Sequence, residues 1–182
     1  WFSIPQCFRY ERMTKGRRRE HFQWNADIIG QSGVTAEAEI LLLLINACRE
    51  MGLTDAEFRI FLNDRRILNS ILEKIEVPPN LHDSVLVIMD KRDKVSPESF
   101  SEMLVESGMN SSQVEQLKEH LAIPELESLS KLLPDCEGIT ALQELSELIN
   151  ISSFSSYIKF DVSIVRGLSL IHISEPTRHH VI

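Results

Sequence analysis

Apolar and polar residues alternate over the last third of the first thirty positions of the chain. Between residues 20 and 29, one side of the pattern is polar and the other apolar: Gln23, Asn25 and Asp27 alternate with Phe22, Trp24, Ala26 and Ile28. A period of two is typical of a half-buried strand. The aromatic-rich segment 1–12 predicts a preceding strand, and the polar, glycine-containing segment 13–19 predicts their connection. The pattern therefore predicts a long antiparallel hairpin around a basic loop.

Helical patterning begins after a predicted turn at residues 30–34. Thr35 is suited to cap a helix over 36–51, and Gly52 is suited to end it. The next predicted elements are a strand and a helix, over 58–62 and from Asn63 or Asp64 to about Ile75. The Pro78-Pro79 pair predicts the end of this unit.

Leucines recur at helical spacing in the following segment, to about residue 150. Ser96 and Pro97 predict a helix start, Gly108 predicts its end, and Ser112 precedes a helix predicted over 113–121. Strand-like alternation returns over 157–165. The order of these segments predicts an α+β fold with an inserted helical domain, divided as 1–76, 77–150 and 151–168.

Composition narrows the class of protein. The 43% hydrophobic and 25% charged residues are ordinary for a soluble globular chain, and the net charge of −8 argues against general nucleic-acid coating. The three cysteines are far apart and lack metal-ligand spacing, which indicates reduced thiols. The longest apolar run, 40–47, is too short to span a bilayer. No secretory signal or transit peptide is visible, but the chain opens at Trp1 without an initiator methionine, so we expect the true N-terminus to be missing.

The predicted hairpin carries charged and amide side chains on one face. Arg9 and Glu11 are two positions apart and leave the first strand on the same side, as Gln23, Asn25 and Asp27 do on the returning strand. A charge that is removed from water needs a partner or a ligand. The connecting loop adds cations that are suited to polyphosphate, namely Lys15, Arg17, Arg18 and Arg19. Spacing alone leaves two interpretations open: an ion-paired strand face with a solvated turn, or an anion or nucleotide site.

The string FRYERMTKGRRREHFQWNADIIG at 8–30 closely resembles motif 2 of class II aminoacyl-tRNA synthetases, in the form typical of the histidine-specific family. AEAEI at 36–40 extends the resemblance, and FDVSIVRGL at 160–168 is similar to the start of that family's histidine signature. The resemblance implies part of a class II antiparallel sheet with flanking helices and an inserted small helical domain. It also implies that motif 1, motif 3 and the anticodon-binding domain lie outside this sequence.

The resemblance further implies an enzyme that ligates histidine to tRNA(His) through a histidyl-adenylate, using ATP and Mg²⁺, as a homodimer at full length and without a membrane or a resident metal site. In the ATP site, Arg9 would hold the α-phosphate, Glu11 would accept from the adenine amino group, Arg17 would reach the terminal phosphates, and His21 would stack on adenine. Gln23 and Asp27 would line the histidine pocket, and Arg166 would be a second catalytic arginine at the reacting phosphate.

The chain departs from the family pattern after Leu168. Ser169, Leu170 and Ile171 stand where two tyrosines belong, so we expect the tail 169–182 to be non-native and its histidines not to form a metal site. We also expect the chain alone to neither activate histidine nor dimerise. Two other functions stay open, a non-catalytic paralogue that regulates histidine biosynthesis or senses tRNA, and an unrelated anion-binding helical adaptor. The compartment is expected to be cytoplasmic or organellar.

Overall fold

The computed structural model describes residues 1–10, 18–31 and 33–164. The strands are β1 (Phe2–Ser3), β2 (Gln6–Phe8), β3 (Glu20–Phe22), β4 (Asn25–Ala26), β5 (Ile60–Leu62) and β6 (Ile158–Phe160). The helices are α1 (Val34–Glu50), α2 (Arg65–Lys74), α3 (Pro79–Met89), α4 (Pro97–Glu106), α5 (Ser111–Leu121), α6 (Leu126–Leu132) and α7 (Glu137–Ile151). This mixture of short strand pairs and helices confirms the predicted α+β class.

The predicted hairpin is present, but its two strands are broken into shorter pieces than predicted. β1 pairs with β4 and β2 with β3, both antiparallel and in one continuous register. The break falls at Pro5, whose carbonyl accepts from the Gln23 amide at 3.0 Å. Proline has no N–H to return the second hydrogen bond of this pair, so the ladder is interrupted there.

Helix α1 begins before the position that the sequence predicts. Gly33 is its N-cap residue and Thr35 lies inside its first turn, so the prediction of a Thr35 cap was wrong. The predicted end is confirmed: Gly52 has a φ of 89° and its amide donates to the carbonyl of Arg49 at 2.8 Å. A left-handed glycine at this position satisfies the last carbonyls of a helix.

The other helix starts follow local capping chemistry. Asp64 rather than Asn63 caps α2, and Ser96 caps α4 as predicted. Helix α5 is capped by Asn110 and not by Ser112. The sequence did not predict α3, which starts at the second proline of the pair that was expected only to end a unit. Proline is well tolerated in the first turn of a helix because the amide it lacks has no partner there.

The helices and the β5–β6 pair share one hydrophobic core. Helix α7 packs against α1 and α2, and buried leucines and isoleucines of all three helices belong to the same cluster. The leucine pattern therefore marks core. Strand β6 pairs in parallel with β5 and ends at Phe160, earlier than predicted, because the chain turns at 161–164. No helix in the described ranges has both the length and the hydrophobicity required to cross a membrane. The division into domains at 76 and 150 stays a prediction.

Gln113 links α5 to the end of α2, and its loss is expected to destabilise the fold. Its Nε2 donates to the carbonyls of Ile75 and Glu76 at 3.2 and 2.9 Å, and its Oε1 accepts from the Asn110 amide. Glu76 has a φ of 58°, so its strained backbone depends on such contacts. We expect Gln113→Ala to lower the free energy of unfolding by about 1–2 kcal/mol.

Urea denaturation of the chain measures this change, and Gln116→Ala is the matched control. Gln116 is exposed on the same helix, and its Nε2 donates to the hydroxyl of Ser112, one turn earlier in α5. We expect the control to change stability by less than about 0.5 kcal/mol. Equal effects of the two substitutions would contradict the linking role of Gln113.

Candidate active site

The hairpin register places the described members of the predicted site on one face. Cys7 pairs with His21 and Ser3 with Asn25, while Arg9 bonds to Arg19 and Gln23 to Pro5 at neighbouring positions of the same register. The Asp27 amide donates to the Trp1 carbonyl at 2.9 Å at the far end. Because alternate strand residues and their direct partners share a side, Arg9, His21, Gln23 and Asp27 all lie on one face.

The order of these residues along the hairpin is informative. Arg9 lies nearest the loop, His21 comes next, Gln23 follows, and Asp27 is at the opposite end. Measured along the strands, Arg9 and Gln23 are about 14 Å apart, and Gln23 and Asp27 are again about 14 Å apart. Such a row of a cation, an imidazole, an amide and a carboxylate is suited to an elongated ligand with chemically different ends.

Asn25 lies between Gln23 and Asp27 on this face and was given no role from the sequence. The Nε2 of Gln23 donates to the Oδ1 of Asn25 at 2.7 Å, and the Nδ2 of Asn25 donates to the Oγ of Ser3 at 3.5 Å. Asn25 is half-buried, whereas Arg9, Gln23 and Asp27 are exposed, so the face is open to solvent. Asn25 belongs to the same alternation of polar residues as Gln23 and Asp27. This alternation is the sequence signal that could have identified Asn25 as a residue that positions Gln23.

The reverse face of the hairpin is apolar and also exposed. Phe2, Phe8 and Phe22 are each 71% exposed, and Trp24 is 42% exposed. Gln6 and Glu20 form a cross-strand hydrogen bond among these rings. Arg19 stacks over the Tyr10 ring, with its guanidinium carbon 4.7 Å from the ring centre. The prediction of one polar and one apolar face is therefore confirmed, but the half-burial predicted for the returning strand was wrong, because Phe22 and Trp24 on its apolar side are exposed.

Glu11, Arg17 and Arg166 lie outside the described residues, as does the tail 169–182. The described chain reaches Ile164, two positions before Arg166, in a turn whose first residue is Asp161. This turn follows β6 directly, so residues 161–164 lie next to the β5–β6 pair.

Two surface cavities lie away from the hairpin face. An open, polar one of about 360 Å³ is lined by Arg49, Glu50 and Tyr157 among others. An apolar one of about 150 Å³ lies between α6, α7 and β6. Across residues 1–10, 18–31 and 33–164, no group of three or more histidine, cysteine, aspartate or glutamate side chains is arranged to hold a metal ion. The hairpin face is thus the part of the described chain that carries the predicted chemistry.

A model of the family described as histidyl-tRNA synthetase matches residues 1–172 of this chain. The match includes the hairpin, the helical segment and the approach to Arg166. The chain belongs to the histidyl-tRNA synthetase family.

Curated relatives of the chain are histidine–tRNA ligases. The chloroplastic/mitochondrial enzyme of Arabidopsis thaliana is 39% identical over 170 residues, which are 93% of this chain and 35% of that protein. The enzyme of Pyrococcus horikoshii is 32% identical over 175 residues, which are 92% of this chain and 40% of that protein. The chain therefore spans between about a third and two fifths of the length of these relatives.

Solved structures share the fold of this chain. Histidyl-tRNA synthetase from Nostoc sp. PCC 7120 superposes with a TM-score of 0.75 at 20% identity, over 92% of this chain and 40% of that one. A protein of Bacillus halodurans C described as an ATP phosphoribosyltransferase regulatory subunit/histidyl-tRNA synthetase superposes with a TM-score of 0.71 at 18% identity. At such identities the likeness concerns the fold, which confirms the class II synthetase fold expected from the resemblance.

Proposed function

We propose that this chain forms part of the ATP and histidine site of an enzyme that attaches histidine to tRNA(His) through a histidyl-adenylate. The observation that carries the proposal is the shared hairpin face, on which Arg9, His21, Gln23 and Asp27 follow one another in this order. A phosphate-binding cation toward the loop and a carboxylate at the opposite end match the phosphate and the histidine side chain of a histidyl-adenylate. ATP would lie toward the loop and the histidine side chain toward Asp27.

In the proposed reaction, a carboxylate oxygen of histidine attacks the α-phosphorus of ATP, the bond to the bridging oxygen breaks, and pyrophosphate leaves. A ribose hydroxyl at the 3′ end of tRNA(His) then attacks the acyl carbon, and AMP leaves. Such chemistry requires positioning and charge stabilisation rather than a protein nucleophile. Arg9 and Arg166 would neutralise the charge that develops on the α-phosphoryl group.

The remaining roles complete the site. Glu11 would accept from the adenine amino group, Arg17 would bind the terminal phosphates, and His21 would stack on adenine. Gln23, held by Asn25, and Asp27 would bind histidine.

A magnesium ion at a nucleotide site commonly binds through substrate phosphates and water, with few protein carboxylates. The one described carboxylate of the face, that of Asp27, lies at the end remote from Arg9, so the phosphates of ATP would supply most of the protein-independent ligands of this ion. When bound with ATP, it would neutralise charge on the phosphates.

The ligase is favoured over a non-catalytic paralogue by the residues that the sequence carries. The fold alone is common to both kinds of protein, as the superposition on the Bacillus protein illustrates. The sequence, however, retains Arg9, Glu11, Arg17 and Arg166 together with Gln23 and Asp27. A protein that only senses or regulates has no need for this complete set of phosphate-binding arginines. The curated chloroplastic/mitochondrial relative is consistent with an organellar compartment, and the homodimer is part of the same proposal.

A chimera tests the proposal while avoiding the tail beyond Leu168. Residues 1–168 of this chain replace the matched region of the Arabidopsis ligase, which supplies the rest of the polypeptide. We expect the chimera to catalyse ATP–pyrophosphate exchange that depends on histidine. The 182-residue chain alone has an open site face, so we expect it to show no such exchange. A folded chimera without histidine-dependent exchange would overturn the proposed function.

Asp27 is expected to determine the binding of histidine rather than of ATP. Its carboxylate lies at the end of the face remote from Arg9 and is suited to bind an imidazole N–H. In the chimera, Asp27→Ala is expected to raise the KM for histidine by about 10- to 100-fold, because a charge-assisted hydrogen bond is worth about 1.5–3 kcal/mol. The KM for ATP should change by less than about twofold, because substitutions at separate sites have independent effects.

Asp55→Ala is the control for this prediction. Asp55 lies in the exposed turn between α1 and β5, away from the hairpin face. We expect it to leave both KM values unchanged. A rise in the KM for ATP that equals the rise for histidine would show that Asp27 supports the whole face and does not bind the amino acid.

A further inference from the structure

The side chain of Asn25 is the middle member of a hydrogen-bond chain that joins the two strands of the hairpin. The Nε2 of Gln23 donates to the Oδ1 of Asn25 at 2.7 Å, and the Nδ2 of Asn25 donates to the Oγ of Ser3 at 3.5 Å. Ser3 is the direct cross-strand partner of Asn25 in the antiparallel register. Ser3 and Asn25 are half-buried, whereas Gln23 is exposed. The chain therefore connects two half-buried side chains to one that is open to a ligand.

Gln23 depends on Asn25 because the opposite strand offers it no polar side chain. The Gln23 amide donates to the carbonyl of Pro5 at 3.0 Å, and the register places this proline directly across the hairpin. A proline side chain has no hydrogen-bonding group. The partner of the Gln23 side chain therefore lies two positions along its own strand. A glutamine side chain loses considerable freedom when it is ordered, so on an exposed face this contact determines its position.

The direction of the chain determines which end of the Gln23 side chain is left for a ligand. A side-chain amide donates through its nitrogen and accepts through its oxygen. Because the Nε2 is directed to Asn25, the Oε1 is the acceptor that Gln23 offers on the polar face. In the ranges 1–10, 18–31 and 33–164, no donor forms a hydrogen bond with this oxygen. A ligand group that meets it is therefore a hydrogen-bond donor.

We propose that Asn25, anchored by Ser3, is a positioning residue that fixes the Gln23 amide so that its oxygen accepts from an N–H group of histidine, an inference that rests on the proposed function. Gln23 lies between Arg9 and Asp27 on the face, so it meets the amino-acid part of the adenylate rather than the phosphates. The histidine carboxylate is joined to the phosphate in the adenylate. The ammonium group and the imidazole remain as sources of an N–H donor.

Substitution of Asn25 in the chimera described above tests this role. Asn25→Leu has a similar shape but can neither accept from Gln23 nor donate to Ser3. We expect it to raise the KM for histidine in ATP–pyrophosphate exchange by about 3- to 10-fold, because the ligand must then order the Gln23 side chain. The KM for ATP should change by less than about twofold. Asn25→Asp retains an acceptor for the Gln23 Nε2 and is expected to recover most of the loss.

Gln23→Glu separates the orientation of the amide from general support of the face. Both oxygens of a carboxylate accept hydrogen bonds, so its orientation need not be fixed. We expect Gln23→Glu to lower the KM for histidine by about fivefold, because a hydrogen bond to a charged acceptor is stronger. In this background, Asn25→Leu should raise the KM by less than about twofold. Gln23 is exposed, so Gln23→Glu tests the chemistry of the ligand group even where Asn25→Leu does not fold.

Two further measurements complete the experiment. Asn46→Leu, the matched control, makes the same exchange outside the hairpin, in α1, where the Asn46 Nδ2 donates to the Leu42 carbonyl. We expect it to change the KM for histidine by less than about twofold. Imidazolepropionate, which lacks the ammonium group, identifies the donor. An inhibition constant that Asn25→Leu leaves unchanged assigns the ammonium group to Gln23, and one that rises with the KM for histidine assigns the imidazole. Both results support the inference.

An equal rise in the KM for histidine on Asn25→Leu in the parent and in the Gln23→Glu background would overturn the inference and leave the proposed function standing. An unchanged KM in Asn25→Leu would do the same. So would a KM for histidine that Gln23→Glu raises, because the ligand would then present an acceptor. Absence of histidine-dependent exchange in the folded, unsubstituted chimera, in contrast, would contradict the proposed function itself.

Discussion

Replacing Arg9 by alanine in the chimera is expected to reduce histidine-dependent ATP–pyrophosphate exchange by about 10²- to 10³-fold. The guanidinium stands on the polar face of the hairpin, where it would neutralise charge as the α-phosphoryl group is transferred. Removal of one such donor from a transition state costs about 2.7–4 kcal/mol. Because Arg9 is exposed, we expect the melting temperature to change little.

Arg59→Ala is the control for the Arg9 substitution. Arg59 is an exposed arginine that precedes β5, so the substitution removes the same charge elsewhere in the chain. We expect the exchange rate of this variant to stay within about twofold of the parent. A loss of the same size in both variants would indicate that net charge, and not a phosphate contact, determines activity.

Replacing Asp64 by alanine is expected to lower the free energy of unfolding by about 2–4 kcal/mol, a large loss for a polar residue. Its carboxylate is fully buried, caps α2 and forms an ion pair with Arg66 at 2.7 Å. The hydrogen bond from Arg66 to this carboxylate raises the pKa of the arginine above its ordinary value. Gly138 of α7 packs closely on Asp64: a Cβ at position 138 would lie 2.9 Å from the Asp64 carboxyl carbon. This close packing leaves no room for a side chain at position 138.

The chain offers a matched control for this prediction next to the same helix start. Arg65 forms an ion pair of equal length with Asp83, also 2.7 Å, but the Asp83 side chain is 90% exposed. Asp83→Ala should therefore lower the free energy of unfolding by less than about 1 kcal/mol. Urea denaturation of both variants measures the contrast. Comparable losses would contradict the view that burial, rather than the ion pair itself, makes Asp64 important.

Local signals allowed the hairpin and most helix ends to be predicted. The alternation from Phe22 to Ile28 determines which residues share a face, since the side-chain period of a strand is two. Glycines at 52 and 108 ended helices as predicted because both adopt positive φ. Pro5, although visible in the sequence, was not recognised as a break in the ladder, and this error lengthened the predicted strands.

Non-local contacts were beyond the sequence patterns. The parallel pairing of β5 with β6 joins residues nearly a hundred positions apart, and no local period specifies such a partner. The hydrogen bonds from Asn63 to the Val162 and Ile164 carbonyls depend on this pairing, so the sequence marked Asn63 only as a possible helix start. Asn25 was seen on the polar face but gained a role only through its hydrogen bond to Gln23.

The central proposal is that one hairpin face binds both the α-phosphate and the histidine side chain of a histidyl-adenylate. A crystal structure of the chimera with a non-hydrolysable histidyl-adenylate analogue tests it most directly. We expect the Arg9 guanidinium to lie within about 3 Å of the group that replaces the α-phosphate, and the Asp27 carboxylate to accept a hydrogen bond from the imidazole. A ligand bound on the apolar face of Phe8 and Phe22, or one that touches neither Arg9 nor Asp27, would contradict it.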